Sequence, residues 1–247
     1  MPLRFTDCTF GYRSGALVLD SLDVEFPPGC TVLLGPNGAG KSTLLALGAS
    51  VLAPSQGHVR WGPLDSVRRR DRRDYRQRVG WLPQTIKPVP GLTVREQVAY
   101  AGWLKGLSKG QAWAGSVEAL DRVRLTDLAD RRSHQLSGGQ LRRMGIAQTL
   151  VHEAEVVLLD EPTAGLDPVQ RGVLRDLLAE LCDRVDFVVS THQTEDLADI
   201  YETVVVLDRG RVTYHGSTEQ FFARAARGIP AERRAEAVYR DLVQGEV

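Results

Sequence analysis

The stretch TVLLGPNGAGKST, residues 31–43, constrains the fold of this chain more than any other. Thr31-Val32-Leu33-Leu34 has the continuous apolar pattern of a strand buried on both faces, as in a parallel sheet. It runs into Gly35-Pro36-Asn37-Gly38-Ala39-Gly40-Lys41-Ser42, a match to G-x-x-x-x-G-K-[ST]. Glycines at this spacing let successive backbone N–H groups converge on phosphate oxygens. The segment from Ser42 to Ala49 reads as a helix, whose N-terminus adds free N–H groups and partial positive charge. Lys41 is placed to reach the β- and γ-phosphates, and the Ser42 hydroxyl to coordinate Mg²⁺. Strand, glycine turn and helix in this order predict an α/β nucleotide-binding core.

Two more segments share the look of the first strand: Val156–Leu159 and Phe187–Ser190. A fourth, Thr203–Leu207, precedes the turn Asp208-Arg209-Gly210. Helical patterns separate most of them, as in an α/β sheet. The first 30 residues alternate instead. Leu3 to Phe10, Leu17–Leu19 and Leu22–Phe26 read as strands of a small antiparallel sheet. Residues 94–135 carry helical spacing in Val94, Val98 and Ala101, and again in Val117, Leu120, Val123 and Leu128. The expected fold is therefore a P-loop NTPase core with a mostly parallel sheet. It carries a small N-terminal antiparallel β subdomain and an inserted α-helical subdomain at about residues 85–150. Residues 1–217 form the nucleotide-binding domain and 218–247 a helical tail, with Ala231, Ala235, Val238 and Leu242 on one face.

Charge and cysteine content remove other classes. Lys+Arg and Asp+Glu are both 31, which argues against binding nucleic acid through bulk positive charge. RRRDRRDYRQR, residues 68–78, is the one dense basic run. It reads as a solvated loop or short helix with internal Arg–Asp pairs, and it contains a single aromatic, Tyr75. Cys8, Cys30 and Cys182 are far apart, so neither a disulfide framework nor a zinc site is expected, and a reducing compartment fits. No stretch approaches 18 apolar residues, and MPLRFTDCTFGY lacks the apolar core of a secretory signal.

Two further segments carry chemistry. Asp160 and Glu161 end the strand Val156–Leu159, where a carboxylate faces the ligand crevice of a parallel sheet. Asp160 suits Mg²⁺, held through water. Glu161 suits the polarising of an attacking water. HQLSGGQLRR, residues 134–143, is a second glycine-rich helix start that can bind an anion, but it has no lysine.

With P-loop, LSGGQ and VVLLDEP in this order, the chain resembles the ATP-binding subunit of ABC transporters over about residues 3–220. The resemblance implies ATP hydrolysis with Mg²⁺. ATP would lie on Gly35, Pro36, Asn37, Gly38, Ala39, Gly40, Lys41, Ser42 and Thr43, with Tyr12 stacked on adenine. Ser42, Gln84 and Asp160 would meet the metal, and Glu161, His192, Gln84 and Lys41 would serve catalysis. Two copies, or this chain and a homologous subunit, would meet head to tail. Ser137, Gly138, Gly139, Gln140 and Asp167 would then close over the nucleotide of the partner. The resemblance also implies a separate multi-span membrane subunit, a peripheral place on the cytoplasmic face of the cell membrane, and no nucleic-acid partner. RVGWLPQTIKPVPGLTVREQVAYAGWLKGL is most similar to the drug- and antibiotic-exporter branch. The alternative, a soluble ABC-type ATPase acting on nucleic acid or the ribosome, would bring tandem ATPase halves, coiled coils or zinc modules. This sequence has one P-loop, no heptads and no cysteine cluster.

Overall fold

In the computed structural model, residues 1–12, 15–194, 197, 200–226 and 228–244 are described. Among the described residues, ten strands form two sheets. The larger has six strands in the order β10-β9-β3-β8-β7-β6. These are β3 (Cys30–Leu34), β6 (Val79–Leu82), β7 (Val156–Asp160), β8 (Asp186–Thr191), β9 (Thr203–Asp208) and β10 (Arg211–Ser217). All neighbours run parallel except β9 and β10, which form an antiparallel hairpin at one edge.

Both faces of this sheet are covered, which explains its uninterrupted apolar strands. Val32, Leu34, Val157, Leu159, Phe187, Val189, Val204 and Val206 point into one core, against α5 (Gly138–Leu150), α6 (Pro168–Cys182) and the helical insert. Leu33, Val156, Leu158, Val188, Val205 and Leu207 point the other way. There they meet α1 (Lys41–Gly48) and the four-stranded antiparallel sheet, ordered β2-β1-β4-β5. That sheet comprises β1 (Leu3–Gly11), β2 (Leu17–Phe26), β4 (Gln56–Trp61) and β5 (Leu64–Asp65).

The two strands expected at Leu17–Leu19 and Leu22–Phe26 are one strand, β2. It bends at Ser21 (φ 45°), where the pairing with β1 shifts register, so its inward residues change parity. The helical insert holds α3 (Val94–Leu104) and α4 (Lys109–Arg122), both opened by capping boxes. Val117, expected on the apolar face of α4, is exposed instead.

The basic run contains a short helix, α2 (Arg72–Arg78). Arg68 pairs with Asp65 and Arg70 with Asp71, but most of its arginines do not face an aspartate. Tyr75 is fully buried and its hydroxyl donates to the Gly48 carbonyl, which fixes α2 against the end of α1.

In the tail, α7 (Thr218–Ala223) and α8 (Ala231–Gln244) are helical. Ala235 and Val238 are buried and Leu242 half-buried, but Ala231 is exposed. Residues 227 and 245–247 of the expected tail lie outside the described residues.

The cysteines correct an expectation. Cys30 and Cys182 form a disulfide although 152 residues separate them. Strand β3 starts beside the end of α6, leaving their Cα atoms 6.1 Å apart, a proximity that sequence spacing cannot reveal.

Candidate active site

The C-terminal ends of β3, β7 and β8 bring five of the expected polar side chains together. Gly40, at φ 104°, is the N-cap of α1 and turns the chain so that Lys41 and Ser42 open the helix. The Lys41 ammonium is buried. It donates to the carbonyls of Gly35 (2.7 Å) and Pro36 (3.2 Å) and lies 3.4 Å from Glu161 Oε1. Burial lowers its pKa, and the nearby charge of Glu161 opposes that shift. Glu161 is itself buried, and its Oε2 lies 2.7 Å from His192 Nδ1. His192 stays about one-third exposed, so the pair sits at the mouth of the crevice. Ser42 Oγ donates to Asp160 Oδ1 at 3.0 Å.

Glu161 has φ 48°, a left-handed backbone that an L-residue adopts at a cost of about 1–3 kcal/mol. Ser190, in the middle of the sheet and fully buried, helps hold it there. Its hydroxyl accepts from Glu161 N–H (3.0 Å) and donates to Asp160 Oδ1 (2.8 Å). One side chain thus aims both carboxylates. In sequence Ser190 stands out only as part of a strand. No motif marks it, because its role comes from the pairing Asp160↔Ser190 across β7 and β8.

The remaining expected residues lie apart from this cluster. Tyr12 is 52% exposed, packs edge-on against Phe10, and brings its hydroxyl to 3.3 Å from Thr43 Oγ1 beside the P-loop helix. Gln84 is exposed in the loop after β6, and its backbone carbonyl accepts from Arg142. Ser137 is the N-cap of α5, in a reciprocal capping box with Gln140. Ser137 and Gly138 are exposed, and a Cβ on Gly138 would meet no atom within 4 Å. Asp167 is exposed and caps α6 by accepting from Gln170 N–H at 2.9 Å. Among the described residues, no hydrogen bond or ion pair joins Ser137, Gly138, Gly139, Gln140 or Asp167 to the Lys41–Glu161 cluster.

The oxygen donors suit Mg²⁺. The Ser42 hydroxyl and the Asp160 carboxylate are hard ligands lying side by side. Among the described residues there is no cluster of three His, Cys, Asp or Glu that would hold a metal by protein groups alone. These two leave most positions to other oxygens, phosphate and water among them, as Mg²⁺ prefers.

The family profile described as "ABC transporter" matches residues 19–164. The chain belongs to this family. It is the ATP-binding subunit type, whose members hydrolyse ATP in transport. It is 37% identical to the phosphonates import ATP-binding protein PhnC of Thiobacillus denitrificans, covering 88% of each chain. It is 40% identical to the cobalt import ATP-binding protein CbiO of Rhodobacter capsulatus, over 85% of this chain and 76% of that one. The dimeric structure of MJ0796, a bacterial ABC transporter cassette, superposes with a TM-score of 0.76 at 25% identity, covering 87% of this chain and 98% of that one. Both sequence relatives bear import names, so the expected place in the drug- and antibiotic-exporter branch finds no support in them.

Within this ABC cassette, sequence reasoning missed one more residue. Arg142, two positions after LSGGQ, is buried. Its guanidinium donates to the carbonyls of Gln84 (3.0 Å) and Ala164 (3.4 Å). It ties the start of α5 to the loop after β6 and to the loop after Glu161. Burial pulls its pKa down, and the nearby charge of Asp160 opposes that shift. The contacts come from loops far away in sequence, so no local pattern marks this residue.

Proposed function

We propose that this ABC cassette hydrolyses MgATP at two composite sites in a head-to-tail dimer, driving substrate through a separate multi-span membrane subunit. One observation carries the reading. Lys41, Ser42, Asp160, Glu161 and His192 converge, while the exposed N-terminus of α5 at Ser137-Gly138 stands unattached to them. A second copy can bring its own Ser137 to that cluster. The dimeric structure of the MJ0796 cassette agrees with such pairing.

In this reading the P-loop amides and Lys41 hold the β- and γ-phosphates. Lys41 gives up its contacts with Gly35, Pro36 and Glu161 to do so. Tyr12 covers the adenine. Ser42, Asp160 and Gln84 would hold Mg²⁺, which supplies charge neutralisation for the phosphates when bound. Glu161 orients a water for in-line attack on the γ-phosphorus and receives its proton, and ADP leaves. His192 holds Glu161 through Nδ1 and contacts the γ-phosphate. The transition state is loose, so positioning and charge stabilisation do most of the work. The partner's Ser137, Gly138, Gly139, Gln140 and Asp167 complete the enclosure.

Residues 1–217 then form the cassette and 218–247 a tail, of which Ala235 and Val238 pack into its core. No helix among the described residues is long and apolar enough to cross a membrane. In this reading the passage lies in another subunit, with this one peripheral at the cytoplasmic face. The cleft beside Gln84 and the helical insert is the docking site for that subunit. The import names of both relatives favour uptake over export.

The test is Glu161→Gln. It is expected to bind ATP, to lose turnover by at least a hundredfold, and to accumulate as an ATP-bound dimer by light scattering. Turnover near the parent rate would remove Glu161 from its role.

A further inference from the structure

His192 stands just past the end of β8, whose last pairings are Leu34↔Thr191 and Asp160↔Ser190. The sheet ends one residue short of it, yet its Nδ1 lies 2.7 Å from Glu161 Oε2. A misplacement of about 1 Å at a reacting site can cost about a hundredfold in rate. The imidazole therefore needs a restraint from beyond the strand.

The next residue supplies it. Gln193 N–H donates to Thr191 Oγ1 at 3.1 Å, which folds the chain back on itself at His192. Gln193 Oε1 accepts from Arg171 Nη1 at 3.0 Å. Arg171 lies near the start of α6, and its Nε donates to the Leu166 carbonyl at 3.1 Å. Its base is firm, because Asp167 caps the helix and Pro168 opens it. One guanidinium thus joins the residue after His192 to the loop that runs from Glu161 to Asp167. The guanidinium is planar and holds its donors at fixed angles, so it sets the spacing of the two segments. Both acceptors are neutral, so these bonds position groups and balance no charge.

This grip lies outside the buried core. Arg171, His192 and Gln193 are partly exposed, and with Tyr239 and Arg240 of α8 they line a cavity of about 560 Å³. Truncation at such a place costs little stability, so an effect on position can be read apart from folding.

We propose that Arg171 is a positioning residue for hydrolysis: by holding Gln193 against the Leu166 loop it sets the His192 imidazole at Glu161. The proposal rests on the roles given above to His192 and Glu161 and adds what places them.

The test is steady-state ATP hydrolysis by variants of the full chain. Arg171→Met keeps the aliphatic stem and removes both donors. It is expected to lower kcat about tenfold. KM for ATP is expected to stay within about twofold of the parent, since no P-loop contact is touched, and the melting temperature within about 3 °C. Arg171→Lys reaches one acceptor at a time and is expected to recover part of the loss. Gln193→Leu is expected to match Arg171→Met, and the double variant to be no slower than either, because both break the same contact. Arg175→Met, exposed one turn further along α6, is expected to keep the parent kcat. Parent kcat in Arg171→Met, additive losses in the double variant, or an equal loss in Arg175→Met overturns the proposal. His192→Ala separates the proposal from the reading beneath it. A parent rate there overturns the role of His192 and the proposal together. A loss in His192→Ala with none in Arg171→Met overturns the proposal alone.

Discussion

Replacing Ser190 by alanine tests how the carboxylates are aimed. The hydroxyl is fully buried between Asp160 Oδ1 (2.8 Å) and Glu161 N–H (3.0 Å). Losing the bond to a charged acceptor costs about 1.5–3 kcal/mol, and orphaning a buried N–H about 1–3 kcal/mol. Release of strain at Glu161 (φ 48°) offsets part of this. The net is roughly 3 kcal/mol, or about 6–12 °C in melting temperature for a domain of this size. Asp160 keeps its contact with Ser42, so the site survives but is loosened. A displacement of Glu161 by about 1 Å lowers kcat by up to a hundredfold. The assays are urea unfolding and steady-state hydrolysis across a Mg²⁺ series, in which the variant needs more Mg²⁺ for half-maximal rate. Stability within about 0.5 kcal/mol of the parent with an unchanged Mg²⁺ series would refute the reasoning, since a surface substitution does as little.

Arg142→Met keeps the bulk of the side chain but frees the Gln84 and Ala164 carbonyls. It is expected to lower kcat severalfold with KM for ATP little changed, and Arg142→Lys is expected to restore part of the loss. His152 makes stability pH-dependent. Its pKa is pushed from 6.5 to about 3 by burial, with Lys105 adding to the effect, so the unfolded chain binds a proton that the folded chain refuses. Its contribution is intact above pH 6.5 and is lost as pH falls toward 3, reaching about 2 kcal/mol by pH 5. His152→Phe is expected to remove that part of the acid slope in urea midpoints. Ser137→Arg is expected to abolish turnover while the isolated subunit still binds ATP, measured by nucleotide fluorescence.

The P-loop, Asp160 and Glu161 were legible in sequence because each is local: a strand, a turn and the next few residues define it. The α/β order was legible because β3, β7, β8 and β9 are buried on both faces and so read as unbroken apolar runs. What escaped is contact across the sheet or between elements. Ser190 acts through its strand neighbour, Arg142 through two loops that lie 58 and 22 residues away in sequence, and Cys30 through the far end of α6. The basic run misled in part. Asp71 and Asp74 alternate with its arginines, but a short helix anchored by Tyr75 turns Arg69, Arg72, Arg73 and Arg76 toward the cleft.

The central claim is that each site is shared between two chains, and mixing two dead variants tests it most directly. Glu161→Gln lacks the base, and Ser137→Arg blocks the partner's site. In a mixed dimer one site carries both lesions and the other carries neither. With random pairing, half the dimers are mixed and each has one sound site of two, so about a quarter of the parent ATPase rate is expected for independent sites of a two-fold dimer. A mixture no more active than the two variants measured alone would contradict the account and place the whole site within one chain.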